Sequence, residues 1–164
     1  MELLELKEIL DDDNFTTAYF EKTEKLPFDR LNVVLPDNID EQLILEILYA
    51  PGMEEILEGF RLLQYFVRLP FAVDEEQIEP LMTFILKLNM GIPMQGFGIN
   101  EEDKYVYFKF ITMVPERENI SNDLKEVLVE NVYMSGFLLN RFYGSIKKMA
   151  SGSTSLKKAL KELV

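Results

Sequence analysis

The amino-acid sequence predicts an α+β fold in which an antiparallel sheet is flanked by helices. Several short segments alternate apolar and polar residues, which is typical of strands with one buried face. Other segments repeat apolar residues at helical spacing. The links between the first four strand-like segments are short, which favours an antiparallel meander. The predicted element order is α-β-β-β-β-α-β-β-α-α.

The N-terminal half is predicted to contain one helix and four strands. Residues 2–11 repeat leucine and isoleucine at helical spacing and form the predicted helix. Four segments with strand-like alternation follow: 15–24, 30–35, 42–49 and 63–73. Pro70 lies within the last of them and has no backbone N–H to donate. We therefore expect Pro70 to lie at a sheet edge or at a bulge.

A helix follows these strands, because the apolar period changes from two to helical spacing between Ile78 and Asn89. Asp74 and Gln77 have the spacing of a capping box before this helix. Pro80 would fall in the second turn of a helix capped there. Proline removes a hydrogen bond inside a helix, so we expect the helix to bend or to begin later.

The C-terminal half adds two strands and two helices. The strands are predicted around 95–100 and 104–114. The second strand is apolar on both faces, so it is either central in the sheet or covered by a partner. The longest predicted helix spans 122–149, and a last apolar stripe with lysines opposite follows over 156–163.

Length and composition fit one folded domain. The 164 residues are 48% hydrophobic and 28% charged, close to globular averages, and a domain of this size buries roughly 70% of its unfolded surface. No repeat or low-complexity linker divides the chain. We expect residues 1–150 to form a single α+β domain. Residues 151–164 are predicted to form a short link and a basic C-terminal helix. The alternatives for this helix are packing on the domain, reaching across to another subunit or a partner, and contact with an anionic membrane.

The residue types needed for most catalytic chemistry near neutral pH are missing. The chain has no histidine and no cysteine, and it contains no dinucleotide-binding, P-loop or HExxH motif. The acidic run Asp11–Asp13 lacks the alternating ligands and the glycine of an EF-hand loop. Gly96-Phe97-Gly98 lacks a third glycine and opens no predicted helix, so it is interpreted as a tight turn. We therefore predict no enzyme, no catalytic residue, no cofactor and no metal.

Three pairs of adjacent carboxylates leave open the alternative of a carboxylate-based catalytic or ligand-binding site. They are Glu54/Glu55, Glu75/Glu76 and Glu101/Glu102. Each pair falls in a predicted loop or first helical turn, where charged side chains are ordinarily solvated. A hydrolase with two carboxylates needs one acid in a hydrophobic pocket. A carboxylate-based enzyme or a small-ligand-binding protein is therefore the alternative.

The charge pattern narrows the choice of partner and compartment. The formal net charge is −12, although residues 145–164 contain five lysines and only one acidic residue. An acidic body repels phosphate backbones, so we expect no nucleic-acid partner. The acidic body is compatible with a basic segment of a partner protein. The alternative explanation of the negative charge is that it only maintains solubility. No apolar run spans a membrane, no secretory signal is visible, and the absence of cysteine suits a reducing cytoplasm.

The stretch from Leu62 to Phe110 carries a resemblance to a known family. It joins an apolar strand ending in Leu69-Pro70-Phe71 to a helix with Leu88-Asn89. Gly91-Ile92-Pro93-Met94, Gly96-Phe97-Gly98 and an aromatic strand follow. This pattern resembles the YbjN-like family, whose fold is shared with type III secretion chaperones. The resemblance implies a small acidic protein, a homodimer without enzymatic activity, and binding of extended segments along apolar patches and strand edges.

These observations favour a non-enzymatic, protein-binding or chaperone-like module. Such a module would act through strand addition at a sheet edge and through apolar grooves. The candidate partner-binding or dimer surface consists of Phe66, Met94, Tyr105 and Tyr107. Apolar and aromatic residues of this kind also pack in protein cores, and that is the competing interpretation of all four.

Overall fold

In a computed structural model, the chain forms a six-stranded antiparallel sheet with its helices packed on one face. The structure describes residues 1–36, 41–52, 56–94, 96–116 and 120–163. The predicted carboxylate pair Glu54/Glu55 lies outside the described residues. Within the described part, none of the helices has the length and hydropathy needed to cross a bilayer.

The sheet has the strand order β1-β2-β3-β4-β6-β5. The strands are β1 Thr16–Phe20, β2 Arg30–Val34, β3 Ile44–Tyr49, β4 Phe60–Ala72, β5 Phe97–Asn100 and β6 Tyr105–Pro115. The helices are α1 Leu3–Asp12, α2 Ile78–Gly91, α3 Asn122–Ala150 and α4 Leu156–Lys161, with a 3-10 turn at Glu75–Gln77. The predicted α+β class and element order are confirmed. The strand from Tyr105 lies between β4 and β5, so its apolar character fits a position inside the sheet.

Two strands, β1 and β4, differ most from their predicted bounds. β1 ends at Phe20, because Thr23 and Leu26 exchange backbone hydrogen bonds of 2.7 and 3.2 Å and form a turn inside the predicted strand. β4 begins earlier than predicted, at Phe60, which is paired with Pro115 of β6. A pairing partner far away in the sequence therefore extends β4 beyond the residues with clear alternation.

The two prolines lie where backbone chemistry tolerates them. The register between β4 and β6 shifts between Arg68 and Ala72, so Pro70 lies at the predicted irregularity. The helix begins at Ile78, which places Pro80 in its first turn, where backbone N–H groups have no partner within the helix. The predicted capping box is wrong. The Asp74 side chain makes no capping bond, and the Gln77 N–H donates to the Asp74 backbone carbonyl at 2.8 Å.

The core lies between the sheet and its helical layer. Alternate residues of β2, β3 and β4 are fully buried on this side, and Tyr65 is the largest of them. Asn131 of α3 donates to the Tyr65 hydroxyl at 3.5 Å. The short helix α4 also packs on its own chain, since Ala159 is only 1% exposed and α4 contacts both α2 and α3.

Candidate protein-binding face

One side of the sheet is turned away from the core that the helices cover. We call it the open face, and it consists of the outward side chains of the six strands. The alternation is clear on β3, where Leu45 and Ile47 are fully buried against the helices while Ile44 is 38% exposed. On β6, Ile111 and Met113 are exposed on the same outward side. The open face is therefore a broad surface that contains large apolar groups in contact with water.

Three of the four predicted partner-binding residues meet at one end of the open face. Phe66 stacks on Tyr107 with ring centroids 5.6 Å apart. Tyr105 meets Tyr107 edge to face at 6.4 Å. The Arg68 guanidinium lies 4.1 Å from the centroid of the Tyr105 ring, a distance at which cation–π attraction is effective. All three aromatic residues are half-buried, so they form an ordered cluster with an accessible surface.

Gly98 allows Tyr107 to lie flat across the edge of the sheet. The two residues are directly paired between β5 and β6. A Cβ atom at position 98 would overlap the Tyr107 ring. The interpretation of Gly96-Phe97-Gly98 as a tight turn is therefore wrong, because Phe97 and Gly98 belong to β5. The glycine makes room for an aromatic ring of the neighbouring strand.

Asn89 at the end of α2 holds β5 in place. Its amide nitrogen donates to the Phe97 carbonyl at 2.8 Å, and its amide oxygen accepts from the Phe97 N–H at 2.9 Å. A Cβ atom on Gly96 would overlap this amide group. We call this arrangement the Asn89 clamp. The clamp ties the end of α2 to the edge strand β5.

Met94 is not part of the aromatic cluster, but it lies next to it. It follows α2, is half-buried, and packs against the core. Met94, Tyr107 and Lys109 line one cavity of about 560 Å³ next to β5. The sequence did not single out Arg68 or Lys109, because each is an ordinary polar residue until its neighbours in the sheet are known. Asn89 was part of the Leu88-Asn89 pattern, but its contact with Phe97 was not predicted.

The open face is more basic than the rest of the molecule. Its charged strand residues are Arg30, Glu46, Arg68 and Lys109, three basic and one acidic. Arg30 pairs with Glu46 at 3.4 Å. Arg68 and Lys109 make no ion pair within the described part of the chain. The excess of acid therefore lies elsewhere, and α1 alone carries four acidic residues.

The titratable groups with displaced pKa values lie away from the open face. Burial raises the pKa of Tyr49 to about 12 and raises the pKa of Tyr65 further. A hydrogen bond from Lys147 and another from Tyr143 lower the pKa of Glu41. A lowered carboxyl pKa is the opposite of what a general acid requires.

The carboxylate pairs Glu75/Glu76 and Glu101/Glu102 occupy exposed surface positions. Glu101 and Glu102 are exposed in the turn before β6, and Glu75 pairs with Lys104. Asp11 pairs with Lys7 and accepts from the Thr17 hydroxyl. Among the residues described, no group of three or more acidic side chains is placed to hold a metal ion.

Comparison with known proteins gives a likeness in fold. No protein-family model matches the chain, and no curated protein matches its sequence. Among solved structures, the chain is similar to YbjN from E. coli, a protein proposed to be a transcription regulator. The identity is 12% and the TM-score is 0.48, over 88% of this chain and 93% of that chain. This likeness concerns the arrangement of helices and strands.

Proposed function

We propose that this protein is a non-enzymatic protein-binding module that holds a segment of another protein against its open face. One observation carries the proposal: the face of the six-stranded sheet turned away from the helices exposes Ile44, Ile111 and Met113 beside the half-buried stack of Phe66 on Tyr107. Burying such groups is favourable in proportion to the apolar area removed from water. Extensive exposed apolar patches of this kind mark interaction sites.

The charges on the open face favour an acidic, apolar partner segment. Arg68 and Lys109 have no ion pair within the described chain, so carboxylates of a partner would meet free cations there. A basic partner segment, which the net charge of −12 suggested, would be complementary to the helical side of the molecule instead. Two copies stacked face to face would bring these cations together, which disfavours a homodimer formed through the open face.

A homodimer, which the family resemblance implies, is a second proposal and has its own surface. Met82, Leu86 and Met90 repeat every four residues along α2 and are 40%, 63% and 75% exposed. Residues at this spacing share one side of a helix. We propose that two copies associate through this stripe and leave both open faces free. The proposed compartment is the cytoplasm, since a chain without cysteine suits reducing conditions.

Affinity purification from the source cell tests the open face. The test protein carries Phe66→Ser and Tyr107→Ser, and the matched control carries Val127→Ser and Phe137→Ser on α3, two sites that are 50% and 62% exposed. Circular dichroism first establishes that both variants keep the wild-type helix content. The proposal predicts that the control recovers the same partner as the wild type and that the open-face variant loses it. Equal recovery by both variants would refute the proposal.

A further inference from the structure

We propose that the cavity beside β5 binds a small amphipathic anion, namely a carboxylate attached to an apolar body. The cavity has a volume of about 560 Å³, within the range typical of ligand pockets. Its described lining combines apolar side chains, including Ile92, Met94, Phe97 and Ile111, with a comparable share of polar surface. Lys109 supplies its one charged group among the described lining residues. This site takes a small molecule rather than a protein segment, although it shares Tyr107, Lys109 and Ile111 with the open face.

The walls of the cavity are held in place before any ligand arrives. The Asn89 clamp fixes Phe97 on one side through bonds of 2.8 and 2.9 Å. Tyr107 is held across Gly98 on the other side, where only a glycine leaves room for its ring. A preformed site loses little conformational entropy on binding, which favours affinity for a small ligand.

The short edge strand leaves the cavity open. β5 pairs with β6 only from Tyr105 to Phe108, and the Lys109 N–H then donates to the Gly96 carbonyl at 3.0 Å. No described strand covers the β5 side of β6 beyond this bond. Ile111 is consequently 37% exposed at the cavity. A ligand can therefore enter from solvent without displacing a strand.

Two polar groups in the cavity wall are available to bind a ligand. Within the described part of the chain, neither the Lys109 ammonium nor the Tyr107 hydroxyl has a hydrogen-bond or ion-pair partner. The Asn89 amide is occupied by the clamp. An ammonium and a hydroxyl can both donate to a carboxylate, and a charge-assisted bond is roughly twice as strong as a neutral one. The apolar lining would then contact the hydrocarbon part of the ligand.

Nuclear magnetic resonance with octanoate tests this proposal on the full chain. Octylammonium is the matched probe, since it has the same hydrocarbon chain and the opposite charge. We expect octanoate to shift the backbone amides of Phe97, Lys109 and Ile111, and octylammonium to leave them unmoved. Lys109→Gln should weaken octanoate binding about tenfold. Lys148→Gln, which removes an exposed lysine of α3, should leave the affinity unchanged.

Other outcomes would overturn the proposal. They are the absence of shifts at the three amides, equal shifts with octylammonium, or an unchanged affinity in Lys109→Gln. Ile111→Ser provides a second check, because it removes apolar contact and keeps the cation. It should also weaken octanoate binding, and an unchanged affinity would show that the hydrocarbon chain lies elsewhere. The octanoate titration uses the wild type, Lys109→Gln and Ile111→Ser, whereas partner recovery uses Phe66→Ser with Tyr107→Ser, so failure of one proposal is distinguishable from failure of the other.

Discussion

The Asn89 clamp makes a prediction that can be measured by a double-mutant cycle. Asn89→Ala removes two hydrogen bonds to Phe97, whose side chain is buried. Each lost bond costs about 1 kcal/mol, and more where the remaining group is shielded from water. We therefore expect Asn89→Ala to lower the free energy of unfolding by about 2–3 kcal/mol. Gly96→Ala should cost about 1–3 kcal/mol, because the new methyl group overlaps the Asn89 amide.

The two effects should not add. In the Asn89→Ala background the overlap disappears, so Gly96→Ala should become about 1–2 kcal/mol less costly than in the wild type. The assay is urea unfolding followed by far-UV circular dichroism, since the chain has no tryptophan. Gly144→Ala is the matched control, because a Cβ at this helical glycine meets nothing within 4 Å; it should stabilise by up to about 1 kcal/mol. The clamp would be refuted if the changes in unfolding free energy were additive. It would also be refuted if Gly96→Ala changed the unfolding free energy no more unfavourably than Gly144→Ala.

Three further predictions concern alkaline stability, the C-terminal helix and association. The raised Tyr49 pKa favours the neutral phenol in the folded state. The stabilisation that it contributes is therefore complete below about pH 10 and is lost as the pH rises toward 12. In urea unfolding, the unfolding free energy of Tyr49→Phe should fall less steeply with pH over that range than that of the wild type, and an equal fall would contradict this prediction. Ala159→Asp buries a charge under α4 and should lower the unfolding free energy by at least about 2 kcal/mol. A loss below about 0.5 kcal/mol, which is typical of surface sites, would mean that α4 does not pack on the domain. Leu86→Glu should reduce the mass measured by light scattering from dimer to monomer, and a wild-type mass near 19.1 kDa would refute the dimer.

Much of the fold is encoded in local patterns that the sequence displays directly. The strand alternation follows the pleat of the sheet, and the apolar stripes follow helical spacing, so element type and order are predictable. Pro70 and Pro80 also act locally, because a missing N–H restricts where each can lie. The bounds of β1 and β4 are less predictable. They depend on a turn inside the predicted strand and on pairing with Pro115, which is distant in the sequence.

The candidate site depends on contacts that no local pattern contains. Alternation separates the residues of β4 into two sets, but it does not say which set the helices cover. Gly98 resembles a turn residue until β6 places Tyr107 opposite it. The basic character of the open face is hidden by the net charge of −12, because Arg30, Arg68 and Lys109 come from three different strands. Only the strand pairing brings these three side chains onto one surface.

The most direct test of the open face as the binding surface is photo-crosslinking in the source cell. Benzoylphenylalanine replaces Phe66, which stacks on Tyr107 in the aromatic cluster, and in the control protein it replaces the exposed Phe137 of α3. The proposal predicts a crosslink from position 66 to another protein, through a segment with more acidic than basic residues, and no such product from position 137. A crosslink to that partner from position 137 alone would contradict the proposal, as would products from position 66 that contain only a second copy of this chain.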